Sequence, residues 1–153
     1  MDKRIIVPNA ECAIKSFKED NSFTKRLIQM GVLPGSNLKI VRVGPMGETI
    51  EVIIDQGEII ALRSKELSSL DCELTAIPLS ALTPAPGKKY RIKKYTGGIV
   101  FRQKMKERKL AVSDIIEIIG RPGFKLKLEN NKTFTVGRGA AEKIIVEPIK
   151  TDG

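Results

Sequence analysis

Apolar and polar residues alternate along most of the chain, and a helical spacing interrupts the alternation once in each half. In the first half, "AECAIKSF" alternates and predicts an opening strand. Phe23, Leu27 and Met30 then fall at i, i+4 and i+7, lining one face of a short helix and predicting burial of all three. Asn21 or Ser22 can cap its start. Gly31 follows the last stripe residue, where a left-handed C′ position favours glycine, and Pro34-Gly35 makes a turn. "NLKIVRV", "TIEVIID", "IIALR" and "SLDCELTAI" read as four further strands. The turns "GPMGE" and "QGE" separate them, with one helical turn in "SKEL" capped by Ser64.

The second half repeats this order. "KKYRIKKY" opens it, "IVFRQKMKERKL" carries Phe101 and Met105 at the spacing of Phe23 and Leu27, and "DIIEIIG", "FKLKLE", "KTFTVGR" and "IIVEPI" follow. Phe23 and Phe101 lie 78 residues apart, as do Leu38 and Ile116, and Ile40 and Ile118. Arg63 and Arg138 lie 75 apart, which implies a three-residue deletion near the "RPG" turn. Preserved order with preserved spacing points to an internal duplication. The Pro-rich "AIPLSALTPAPG" falls at the boundary, where a linker belongs. The expectation is a mainly β protein of two tandem small barrels, residues 1–77 and 78–153, each with one short helix between its first and second strands. Closure is expected because it removes exposed strand edges.

Charge separates the halves. Residues 1–78 hold 10 Lys and Arg against 11 Asp and Glu, whereas residues 79–153 hold 17 against 7, so net charges of −1 and +10 make up the overall +9. An acidic partner for the second half follows: nucleic acid, an anionic membrane surface or an acidic protein. Between Lys88 and Lys106 there is no acid. The chain has no His, which removes the commonest general base and transition-metal ligand. No P-loop, zinc-finger spacing or C-x-x-C is present, and no nucleophile-base arrangement stands out, so a non-enzymatic binding or regulatory module is expected. The first residues show no secretory signal and no apolar run is long enough to span a bilayer, predicting a cytosolic protein.

"RLIQMGVLPG", "VGPMGETIEVII" and "IIALRSKEL" resemble the FeoA family, small SH3-like barrels linked to bacterial ferrous iron uptake. In the family a helix ending in R-L-x-x-M/L-G, a P-G turn, a P-x-G turn and an A-L-R segment recur in that order. The first half matches all of them. The second departs, with Arg108-Lys109 in place of Met30-Gly31 and Val112-Ser113 in place of Pro34-Gly35. It is read as a diverged, basic copy. The resemblance implies two SH3-like barrels and a cytosolic accessory of the ferrous iron permease FeoB, positioned at the inner face of the membrane. No cofactor is expected, beyond the weak Fe2+ association that the resemblance implies.

Partner contact is expected at Arg26, Ile28, Arg63, Lys88, Lys89, Lys93, Lys94, Arg102 and Lys106. Ile28 falls off the helix's apolar face. Arg63 is read first as a structural arginine bonding backbone or a carboxylate, and alternatively as a partner contact. Cys12 and Cys72, in the first and last strands of one barrel, read as buried thiols near each other. A metal site built from them with Glu11, Asp71 or Glu73 is the alternative, opposed by the outward and inward alternation of strand side chains. Besides FeoB, an anionic membrane surface is a possible partner for the basic half. Nucleic-acid binding through that half is the rival function, with Tyr90, Tyr95 and Phe101 as the nearby rings.

Overall fold

A computed structural model describes residues 5–18, 22–121 and 123–149. The chain divides into two compact units, residues 1–77 and 78–153. The first contains β1 (Glu11–Phe17), α1 (Ser22–Gln29), β2 (Asn37–Val43), β3 (Thr49–Ile54), β4 (Ile59–Arg63), α2 (Ser64–Ser68) and β5 (Leu70–Pro78). All its ladders are antiparallel, in the spatial order β4-β3-β2-β1-β5. Register shifts in β1 against β5 and in β2 against β3 add residues to one strand of each pair. Such bulges bend a sheet, letting five short strands curl around one core. Cys12 and Ile14 of β1, Leu38 and Ile40 of β2, and Ile50 and Val52 of β3 alternate into it, joined by Leu27, Val32, Leu62, Leu67 and Leu70. Among the described residues the expected closure is not made by a ladder. β4 and β5 lie at opposite ends of the strand order, and α2 joins them.

The second unit begins with a 3-10 turn, Leu79–Ala81, and continues with β6 (Lys89–Tyr95), α3 (Ile99–Glu107), β7 (Ile115–Gly120), β8 (Phe124–Leu128), β9 (Thr133–Val136), α4 (Arg138–Lys143) and β10 (Ile144–Pro148). Its order, β10-β6-β7-β8-β9, has the same antiparallel plan. Among the described residues each unit has two α-helices, the one between its first and second strands and a shorter one before its last strand, where the helical turn in "SKEL" is expected in the first unit. The linker expectation changes too. Pro78 and Leu79 are buried, and the 3-10 turn packs against α4 and β10. Leu79 belongs to the second core, which leaves an exposed connector only near Thr83–Gly87.

Strand register corrects the proposed deletion. Ile40 opposes Val52 and Ile118 opposes Leu126, while Leu62 opposes Ile50 and Val136 opposes Phe124. The 78-residue offset therefore becomes 74 after the β7–β8 turn, so the second unit is four residues shorter there rather than three. Arg63 then corresponds to Gly137, not Arg138, and these two residues are indeed the N-caps of α2 and α4.

The helix ends show how sequence divergence is absorbed. In α1 the Val32 N–H donates to the Leu27 carbonyl and the Gly31 N–H to that of Ile28, with Gly31 at φ +93°. This is a Schellman cap with glycine at C′. In α3, Leu110 donates to Met105 and Lys109 to Lys106, with Lys109 at φ +61°. Ser113 sits at φ +81° where the first unit has Gly35 at φ +93°. The second unit keeps the backbone path without the glycines that make it easy.

The α1 face is rotated from expectation. Leu27 is buried, but Phe23 and Met30 are only half-buried, and Thr24 is buried instead. The core-facing seam therefore runs along Thr24 and Leu27. The capping expectation for Asn21 lies outside the described residues. Among the described residues Ser22 is already helical, and Ser64 likewise begins α2 rather than capping it.

Candidate functional site

The three sequence stretches that set the first unit apart meet at one corner. α2 starts at Ser64 because Arg63 leaves β4 in an extended conformation and turns the chain. Its backbone N–H donates to Glu66 Oε1 at 3.1 Å, so Glu66 reaches back over the first turn. The same carboxylate accepts from Arg26 NH1 at 3.0 Å on Oε1 and 3.1 Å on Oε2. Glu66 is 0% exposed and Arg26 50% exposed, so the pair has one dry and one wet partner. The pair ties α1 to α2. On the other side, the Ser64 N–H donates to the Glu48 carbonyl at 3.0 Å, fixing the Gly44–Glu48 turn against the start of α2.

Arg26 is thus engaged inside the unit. The Arg63 side chain is exposed, and its backbone N–H makes this local bond. With Glu48, Thr49, Ser64 and Lys65 it lines an open cleft of about 580 Å³. A second cleft, of about 400 Å³, shares Glu48 and Ser64 and adds Ile6, Val43, Met46, Gly47 and Ile50. Met46 projects from the turn at 84% exposure. A flexible thioether in one cleft and two cations in the adjoining one, which shares Glu48 and Ser64, suit an adaptable contact surface. Ile28 is exposed on α1, as is Leu33 beyond it.

The basic residues do not form one uniform face. On β6, Lys89, Arg91 and Lys93 point outward while Tyr90 and Ile92 point inward, and Lys94 is half-buried. Arg91 pairs with Glu147 at 3.3 Å, and the Lys88 ammonium lies 5.6 Å from the Tyr90 ring centroid. Arg102, Lys104 and Lys106 are exposed on α3. Arg108 is used structurally, stacking 4.3 Å from the Phe134 ring and donating to the Thr135 carbonyl at 2.8 Å. Arg138 is exposed and 3.9 Å from Glu142.

Cys12 and Cys72 are free thiols on the core-facing side of β1 and β5, where Cys72 opposes Ile14. Their hydrogen bond, aided by burial, pushes the Cys12 thiol well above its ordinary range. The same bond lowers Cys72. The carboxylates weighed with them as ligands are used elsewhere. Glu73 pairs with Lys15 at 2.9 Å, Glu11 accepts from Asn37 at 3.3 Å, and Asp71 accepts from Ser16 at 3.5 Å. Among the described residues no group of three or more Cys, Asp or Glu could hold a metal ion. No helix among them is long and apolar enough to cross a membrane.

Residues 6–74 match the family model described as the FeoA domain. The first unit is a FeoA-family domain. A solved structure of iron(II) transport protein A from Clostridium thermocellum is 27% identical, with a TM-score of 0.55 over 97% of this chain and 88% of that one. That likeness spans both units. A Pseudomonas aeruginosa protein solved by NMR is 35% identical over 44% of this chain and 91% of its own, with a TM-score of 0.37. A crystal structure of an iron uptake regulatory protein, FeoA, is 26% identical over 50% of this chain and all of its own, at 0.44. The small SH3-like fold and the link to iron transport follow from the FeoA membership.

Within the FeoA domain, Glu66 is the residue that sequence reading missed. The available signal was a lone acid between Leu62 and Leu67, both of which are buried. At the register-matched places in the second unit stand Lys104, exposed, and Ala140, half-buried. Both members of the pair are absent there.

Proposed function

We propose that the protein is a non-enzymatic, cytosolic accessory or regulator of ferrous iron uptake that docks on the cytosolic side of a FeoB-type permease. The FeoA-domain match over residues 6–74 carries this reading. It is supported by the likeness, across both units, to a protein described as iron(II) transport protein A. In this reading the docking surface is the corner where Met46, Arg63 and Lys65 are exposed, held in place by the Arg26–Glu66 pair. Ile28 extends the apolar part of the contact. The second unit, residues 78–153, is a diverged copy whose basic residues, Lys88, Lys89, Lys93, Lys94, Arg102 and Lys106, orient the protein near acidic surfaces. Ferrous iron is then the permease's cargo.

Binding of the full chain to permease-containing vesicles, compared with the same vesicles lacking permease, tests the reading near 0.15 M salt, where surface attraction is screened within about 8 Å. Binding should depend on the permease and should fall with Met46→Asp and Arg63→Glu at unchanged thermal stability. Equal binding to both vesicles, or tight sequence-specific binding to nucleic acid in that salt, would overturn it.

A further inference from the structure

The start of α3 carries a feature that the fold does not require. Ile99 and Val100 are consecutive, 86% and 84% exposed, and open the helix directly after Gly97-Gly98. Phe101 and Met105 are buried one turn apart, and they fix the roll of α3. At 100° per residue this roll directs Ile99 and Val100 away from the core. The tip is held firmly. Tyr95 meets Phe101 edge-on at 5.7 Å, and a side chain at Gly97 would come within 2.7 Å of Phe101, so only glycine allows this close approach. In the first unit the same places, 78 residues earlier, hold Asn21 and Ser22. Ser22, a polar residue, is helical in α1.

Cations share the exposed surface of α3 with the apolar pair. Arg102, Lys104 and Lys106 are exposed on α3, and the Lys143 ammonium lies 5.3 Å from the Phe101 ring centroid. The helix's own acid, Glu107, is at its far end and lies 3.5 Å from Gln103.

We propose that this end of α3 is a lipid-contacting tip, which inserts Ile99 and Val100 at the headgroup–acyl boundary of an anionic bilayer while Arg102, Lys104, Lys106 and Lys143 engage lipid phosphates. Nucleic acid satisfies only half of this chemistry. It offers phosphates, but bases stack on exposed aromatic rings, and the tip presents branched aliphatics that have no stacking face. A bilayer supplies both phosphate and hydrocarbon, and combined apolar burial and basic attraction is what holds interfacial helices. Two aliphatic side chains make a weak, reversible contact, suited to raising local concentration at a membrane. The inference does not depend on permease docking, since lipid alone suffices to test it.

The chain has no Trp, so Val100→Trp introduces a single fluorescent reporter. With full-length protein and vesicles of phosphatidylglycerol and phosphatidylcholine, its emission should shift to the blue and be quenched by lipids brominated on their acyl chains. Pure phosphatidylcholine vesicles should give little shift. Cosedimentation of the Ile99→Asn/Val100→Ser protein, which carries the first unit's residues, should weaken by roughly tenfold or more. Arg102→Gln/Lys106→Gln should weaken binding to anionic vesicles only. An unshifted emission from the Val100→Trp protein, vesicle binding unaffected by Ile99→Asn/Val100→Ser, or a blue shift with DNA but not with vesicles would each overturn the proposal.

Discussion

Replacing Arg26 by Met isolates the contact that joins the two helices of the FeoA domain. The substitution keeps much of the aliphatic stem and removes the guanidinium. Glu66, fully buried, then loses the two bonds from Arg26 NH1 and keeps only the Arg63 N–H at 3.1 Å. Breaking a buried pair by removing one partner costs about 3–5 kcal/mol. Arg26 is half exposed, so water can reach the vacated side, and the expected loss is about 2–3 kcal/mol. Glu66→Leu should cost less, about 1 kcal/mol, because the guanidinium can turn to solvent and only the Arg63 cap is lost. The double variant should sit near Glu66→Leu, giving a coupling of about 2 kcal/mol in a double-mutant cycle. Urea unfolding followed by circular dichroism measures each stability, with hydrogen exchange of the β1–β2 amides locating the loss in the first unit. If Arg26→Met costs no more than Glu66→Leu, or falls within about 0.5 kcal/mol of wild type as exposed substitutions do, the buried-charge argument fails.

Three other outcomes follow from the same structure. Lys109→Gly and Ser113→Gly, each relieving a positive φ, should leave the second unit's stability unchanged or raise it by up to about 1 kcal/mol, whereas Gly31→Val should lower the first unit's by about 1 kcal/mol or more; thermal melts that rank them in the opposite order would refute the conformational argument. Burial, and then the nearby Asp114, pushes the Tyr95 hydroxyl up to about 12, and that hydroxyl donates to the Leu110 carbonyl at 2.6 Å. Because the folded value lies above the unfolded one, its contribution is intact below pH about 10 and is lost as pH rises towards about 12; ultraviolet titration of a Tyr90→Phe protein should show this late ionisation, and titration near pH 10 in the folded state would contradict it. Alkylation should modify Cys72, the half-buried and lowered thiol, well before buried Cys12, and mass mapping that finds Cys12 first would reverse the assignment.

The sequence alone was enough to place the ten strands, the α1 and α3 helices and the repeated plan. Strand alternation and the Phe–Leu helical spacing are local signals that survive without knowledge of the partners. The Gly31 cap was legible for the same reason, since its positive φ belongs to one residue. Features that depend on two distant positions were decided only in three dimensions. The roll of α1 followed from packing against the core, which chose Thr24 over Phe23 and Met30. The four-residue difference between the units emerged only from ladder register, because Arg63 and Arg138 look alike in sequence while Gly137 is the cap that corresponds. Glu66 looked like one more charged residue of a short helix until Arg26, forty positions away, was seen bonded to it. The basic run likewise separated into paired, stacked and exposed members only when neighbours such as Glu147 and Phe134 were known. Charge composition fixes the total field of a chain, but the side of the fold on which each charge lies is a property of its contacts.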